Sequence, residues 1–339
     1  MLLRVIAAVF LAASMAETVA GQQAPSTRQF WLSPSPGTID YIRLFDHPEE
    51  WTLARDVTRV FKFYQQHTQT PADPIVGPNT YDALVRAQAF RRLMQWRKQI
   101  AVEVGSVKEY YCTPDASGMR NSIAGSVAAV QAIEQAGGAV SYLAMDEPFV
   151  SGRARICGGP ALEPTADRVA TYVAGVRAAR PAVQVGLIEA YPFSSADAIE
   201  AILTLLDSRG AKPAFLHMDV DWHLSGGEAF RRDMKRLQTY CGAQQILFGI
   251  IITGYNGDSD TLYADDVAGI TELTAETFGT WTAMPDHIIL QSWVESRTGL
   301  RITPTNLPER QPYSHTYMLF GVFRRLLAGG ASTGGAVPR

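Results

Sequence analysis

Short apolar runs recur eight times along the chain, each closed by Gly, Pro or polar residues. They read FWLSPSPG from Phe30, VFKFYQQ from Val60, IAVEVGS from Ile100, VSYLAMDEP from Val140, VQVGLIEAYP from Val183, AFLHMDVDW from Ala214, ILFGIIITGYN from Ile246 and HIILQSWVES from His287. Runs of this length and punctuation read as buried strands. Between them lie segments with apolar residues at helical spacing, among them TYDALVRAQAFRRLMQWRKQ, TADRVATYVAGVRAARP, SADAIEAILTLLDSRG and, last, YSHTYMLFGVFRRLLAGG. Thr165 or Ser195 is suited to cap a helix and Gly210 to end one. Eight strand-helix units in about 300 residues predict a single α/β domain, a (β/α)8 or TIM barrel, over residues 30–329. A doubly wound sheet is the other arrangement of such units, but the first strand lacks the GxGxxG turn of a dinucleotide site.

The two ends of the chain depart from this pattern. MLLRVIAAVFLAASMAETVAGQQ pairs an early Arg4 with an apolar run and then small residues, the layout of a secretory signal peptide. A membrane anchor needs about 20 apolar residues, and Glu17 interrupts this run first. Residues 1–21 therefore read as a signal peptide, cleaved between Ala16 and Gly21, and 22–29 as a linker. The expected location is the periplasm or the exterior. The Gly-rich end, 330–339, is expected to be a flexible tail.

Composition narrows the partners. The 339 residues are 47% hydrophobic and 19% charged, with a net charge of -3, ordinary for a globular domain. No basic excess is available to neutralise phosphates, which argues against nucleic acid or an anionic membrane surface. No second segment is apolar enough to span a bilayer once the signal is removed. The expected partner is a small or neutral molecule.

Polar residues concentrate where the strands end, and in a (β/α)8 barrel the C-terminal ends of the strands carry the active site. Strand 3 carries Glu103, strand 4 ends in Asp146 and Glu147, strand 5 in Glu189, strand 6 in Asp219 and Asp221, and strand 8 in Glu295. Alternation along a strand puts His217, Asp219 and Asp221 on one side and leaves Leu216 and Met218 for the helices. Gln291, Trp293 and Glu295 likewise share a side. Charges converging in this way must be paired, ligating or catalytic, because burying them singly is costly. The plainer alternative is a salt-bridge network with Arg153, Arg155 or Lys62.

Aromatic residues gather at the same ends: Trp31, Tyr64, Tyr110, Tyr111, Tyr191, Trp222, Tyr255 and Trp293. Such faces stack on sugar rings while carboxylates hold hydroxyls, so an oligo- or polysaccharide is the expected substrate. Cleaving a glycosidic bond takes two carboxyl groups, one protonated and one ionised, on opposite sides of the bond. Asp146 and Glu147 are chain neighbours and cannot supply both. The partner comes from another strand, with Glu189, Asp219 and Asp221 as candidates and strand 6 preferred.

Met145-Asp146-Glu147-Pro148 at the end of strand 4 resembles the Asn-Glu-Pro of retaining barrel glycoside hydrolases of clan A. That resemblance implies an acid/base role for Glu147 and a sugar platform at Trp293. Asp146 stands where that clan has Asn, and strand 7, IIITGYN, has no Glu at the place of its nucleophile. On the glycosidase reading Asp146 orients Glu147 or binds substrate, Trp222, Trp293, Tyr191 and Tyr255 shape the sugar subsites, and Glu295 and His217 contact substrate. No cofactor or metal is required.

VGLIEAYP followed by FLHMDVDWHLSGG also resembles the xylose-isomerase-like barrels of sugar isomerases and epimerases. That resemblance implies a divalent metal held by Glu189, Asp219 or Asp221, and Glu295, with His223 nearby, although strand 7 supplies no His. A barrel that binds a glycan without cleaving it is the third reading.

Three cysteines, Cys112, Cys157 and Cys241, match neither a disulfide-dense scaffold nor a zinc spacing. In the barrel, Cys112 follows strand 3 and Cys157 follows strand 4 on one face, while Cys241 precedes strand 7 on the other. A Cys112–Cys157 disulfide is expected, with Cys241 reduced.

Overall fold

The computed structural model describes residues 28–110, 116–152 and 161–328. Every one of the eight apolar runs is a strand: β1 (Gln29–Ser33), β2 (Thr58–Tyr64), β3 (Gln99–Val104), β4 (Val140–Asp146), β5 (Gln184–Tyr191), β6 (Phe215–Val220), β7 (Leu247–Ile252) and β8 (His287–Gln291). All pair in parallel with their sequence neighbours, and β8 closes on β1 from Gln29 opposite His287 to Ser33 opposite Gln291. The result is a closed (β/α)8 barrel.

Alternation divides each strand between two cores. Trp31, Val60, Tyr142, Ile188, Phe215 and Ile289 fill the barrel interior. Leu32, Phe61, Leu143, Leu187, Leu216 and Ile288 face the helices. Two glycines make the interior possible. A Cβ on Gly186 would lie 2.2 Å from the Phe215 ring, and one on Gly249 would lie 2.6 Å from His217. Either would force these large rings apart, because packed interiors have no slack of that size.

The expected helix signals hold in two of three places. Ser195 caps Ala196–Ser208 by accepting from the Ala198 amide at 3.2 Å. Gly210, at φ +69, ends it, with Ala211 donating back to the Leu206 carbonyl. Thr165 is different: its helix starts at Glu163, and Thr165 is buried in the first turn. Pro164 sets that start instead, since its missing N–H costs nothing there.

A long connection after β8, the strap, brings Trp293 and Val294 to the mouth of the barrel and contains the two-stranded hairpin Val294–Glu295 with Ile302–Thr303. Its far end is anchored by Asp40, whose buried carboxylate accepts from the Asn306 amide at 2.8 Å, the Asn306 side chain at 3.0 Å and the Leu307 amide at 3.0 Å. Glu309 repeats the device on the segment before β2, accepting from the Ala54 amide at 2.9 Å and Thr52 Oγ1 at 3.1 Å. The hairpin rests on Gly257, where a Cβ would stand 2.0 Å from the Glu295 carbonyl oxygen.

Cys241 is a buried free thiol in the helix Gly227–Ala243, and burial pushes it up to about 12. Cys112 and Cys157, the signal segment and the Gly-rich tail lie outside the described residues. No helix among the described residues is long and apolar enough to cross a membrane.

Candidate functional site

The C-terminal ends of the strands open into a cleft of about 870 Å³. β3 and the short helix after it bring Glu103 and Lys108, β4 brings Asp146 and Glu147, and β6 brings Asp219 with Asp221 and Trp222 beyond it. Tyr64, Tyr255, Gln291 and Trp293 complete the walls from β2, β7 and β8. Of the sequence-predicted site residues, the cleft therefore gathers Asp146, Glu147, Asp219, Asp221, Trp222, Tyr255 and Trp293.

Two lysines balance the carboxylates. Lys62, fully buried on β2, donates to Gln291 Oε1 at 2.6 Å and pairs with Glu103. Lys108 donates to Asp146 Oδ2 at 2.5 Å and, more weakly, to Glu147 Oε2 at 3.4 Å. The ion-pair network expected as the plainer alternative is thus present around Asp146 and Glu103. Its cation at Asp146 is Lys108, while Arg153 and Arg155 lie outside the described residues.

Asp219 stands apart from that network. Among the described residues nothing donates a hydrogen bond to its carboxyl and no cation pairs with it. Burial, followed by the charges of Glu147 and Glu103, holds it up at about 7, with the buried Lys62 opposing. Glu147 is also raised, by burial first and by Asp146 second, but Lys108 works the other way and favours its charge. Each shift reflects a poorly solvated carboxyl among like charges. Glu147 further adopts a left-handed backbone, φ 44, at a cost of order 1–3 kcal/mol for a residue with a side chain.

The aromatic walls are partly open. Trp293 is 47% exposed, its ring 4.9 Å from that of Tyr64. Tyr255 is 42% exposed and stands 4.2 Å from His223. Trp222 is mostly buried against Phe230, with its edge on the cleft. Trp31 fills the barrel interior instead.

Four predicted residues do not reach the cleft. Glu189 and Tyr191 belong to the outer face of β5, in line with Leu187, so they point at the helices. The Glu189 carboxyl is buried, accepts from the Phe149 amide at 2.8 Å and leaves Oε2 without a partner. Burial foremost raises it to about 8. The Tyr191 hydroxyl donates to Asp233 Oδ2 at 3.0 Å. His217 has the inward parity but sits one layer too deep, where its Nε2 shares a hydrogen bond with His287 Nδ1 at 2.9 Å. Burial pushes it well below the usual histidine value. Glu295 lies on the hairpin, exposed and away from the cleft lining. The metal set implied by the isomerase resemblance is therefore not assembled. Among the described residues, the only group of three or more His/Cys/Asp/Glu with ligand atoms within 4.8 Å of one another is His47, Glu49 and Glu50, on the surface.

Lys108 was not singled out from the sequence. GSVKEYY after β3 reads as an ordinary polar loop, and only the position of that loop beside β4 gives the lysine its role.

No protein-family model matches the sequence, and no curated protein does. Solved structures do. Xylanase 10B from Thermotoga maritima is similar over 90% of this chain and 97% of its own, at 10% identity and a TM-score of 0.54. An endo-beta1,6-glucanase matches over 87% of this chain and 75% of its own, at 11% identity and 0.53. A psychrophilic glycoside hydrolase family 10 endo-beta-1,4-xylanase covers 87% and 96%, at 12% identity and 0.51. At such identities the likeness is one of fold, and it extends over most of the barrel.

Proposed function

We propose that the protein is an exported glycoside hydrolase that works with two carboxyl groups, Asp219 and Glu147. One observation carries this reading: two carboxyls from separate strands, β6 and β4, face one cleft walled by open aromatic rings, and among the described residues only Glu147 of the two has a cation beside it. Asp219, unpartnered and held at about 7, keeps a proton to give at neutral pH. Glu147, with Lys108 beside it, is the member better able to carry charge. This exchanges the role that the clan A resemblance gives to Glu147.

In the reaction, Asp219 protonates the departing glycosidic oxygen while the Glu147 carboxylate, from the other side, attacks the anomeric carbon or activates water. Lys108 holds the Asp146 carboxylate in an ion pair beside Glu147. Trp293 and Tyr255 offer ring faces for sugars on either side of the bond. The similar barrels named above as xylanases and a glucanase agree with a saccharide substrate, and the leader sequence agrees with export.

The test is a leaving-group comparison. Asp219→Asn should lose turnover on natural saccharides yet retain much of it on aryl glycosides with acidic phenols, which need no proton. Glu147→Gln should lose both. Full turnover by both variants, or loss of wild-type activity with a chelator, would overturn the two-carboxyl reading.

A further inference from the structure

We propose that Glu189 is a positioning residue for Glu147: its buried carboxyl, reaching from the helix side of β5, clasps the turn that aims Glu147 into the cleft. The proposal rests on Glu147 being a working carboxyl of that cleft.

The argument begins with two neighbouring residues of β5. The Ile188 carbonyl accepts from the Glu147 amide at 3.1 Å, the last rung between β4 and β5. The next residue, Glu189, points to the opposite face and accepts from the Phe149 amide at 2.8 Å. Between these attachments lie Glu147 at φ 44 and Pro148. Pro148 has no N–H to give, so Phe149 supplies the first amide beyond the turn. A backbone that L side chains resist is thus pinned on both sides by consecutive residues of one strand.

The chemistry of Glu189 suits no simpler role. It is wholly buried and outside the cleft, so it cannot touch a substrate. Packing alone would be served better by an apolar side chain, since a buried carboxyl with one oxygen unpartnered carries a desolvation cost. What the carboxyl contributes is a long-reaching acceptor at the Phe149 amide. Leucine at 189 would fill the space but free the turn, and glutamine would keep the acceptor without the titratable proton.

Three variants separate these contributions: Glu189→Gln, Glu189→Leu and Glu189→Asp, the last retracting the acceptor by one carbon. In each, kcat and KM are measured, and the Glu147 carboxyl is titrated by carbon-13 NMR, its signal assigned by its loss in Glu147→Gln. Glu189→Gln should match the wild type in both. Glu189→Leu should lower kcat by about a hundredfold, the scale for a misplacement near 1 Å, with KM little changed and the Glu147 midpoint displaced. Should the leucine variant fail to fold, Glu189→Asp carries the same expectation. An unchanged Glu147 titration and kcat in either folded variant would overturn the proposal, as would a glutamine variant as impaired as leucine. If Glu147→Gln itself keeps full turnover, the glycosidase reading fails, yet a displaced Glu147 titration in Glu189→Leu still supports the positioning role.

Discussion

Asp40 and Asp219 are both sheltered aspartates at the same end of the barrel, and both are raised above the usual carboxylate range chiefly by burial. Their surroundings differ in one respect. Asp40 is met by backbone and side-chain donors of Asn306 and Leu307, which offset much of its desolvation and turn it into a staple. Among the described residues none donates to Asp219, which faces the open cleft. A carboxyl supplied with donors holds structure, and one denied them holds a proton.

Substitution should separate the two most sharply in activity. Removing a positioned proton donor costs roughly a thousandfold, so Asp219→Asn should lower kcat on a natural saccharide by that order. Asp40→Ala should leave the rate per folded molecule near wild type, as active-site titration would show. Equal losses from both would dissolve the distinction.

The next effect is on stability. Asp40→Ala strands the Asn306 and Leu307 donors in a buried place, and about 3 kcal/mol should be lost in urea unfolding. Trp293 sharpens the contrast, because it stands on the strap that Asp40 secures and in the cleft that Asp219 serves. Trp293→Ala should weaken saccharide binding by about tenfold in calorimetry while changing unfolding by under about 0.5 kcal/mol.

A further effect is in the pH dependence of melting. An unfolded aspartate gives up its proton near 3.8 and folded Asp219 at about 7. Across that window the folded state binds the extra proton, so its contribution to stability falls as pH rises. Asp219→Asn should therefore melt a few degrees above wild type at pH 8, with the gap closing toward pH 4. A variant that melts lower at pH 8 would mean that the carboxylate is stabilised by an ionic partner.

Strand positions were legible because each apolar run is bounded by turn residues, and the barrel followed from their number and spacing. The inward parity of His217, Asp219 and Asp221 was legible too, since Leu216 and Met218 mark the other face. β5 gave no such contrast. Val185, Leu187 and Ile188 are apolar on both faces, as in any strand covered on both sides, so the side taken by Glu189 and Tyr191 could not be seen. Depth was hidden as well. His217 and Asp219 share a direction, and only the closed sheet shows that the first lies among Trp31 and Phe215 while the second reaches the cleft. Lys108 and the left-handed Glu147 depend on how neighbouring loops meet, which no single run records.

The strap has a consequence for when the site comes into being. Asp40 and Asn306 are 266 positions apart in the chain, and Trp293 meets Tyr64 only after β8 has closed on β1. Contacts of such span form late, because the intervening loop must first be ordered. The earliest and latest parts of the barrel together build one wall of the cleft. A nascent chain cut short before residue 287 lacks the seam and that wall alike, so the cleft is complete only once β8 has been made.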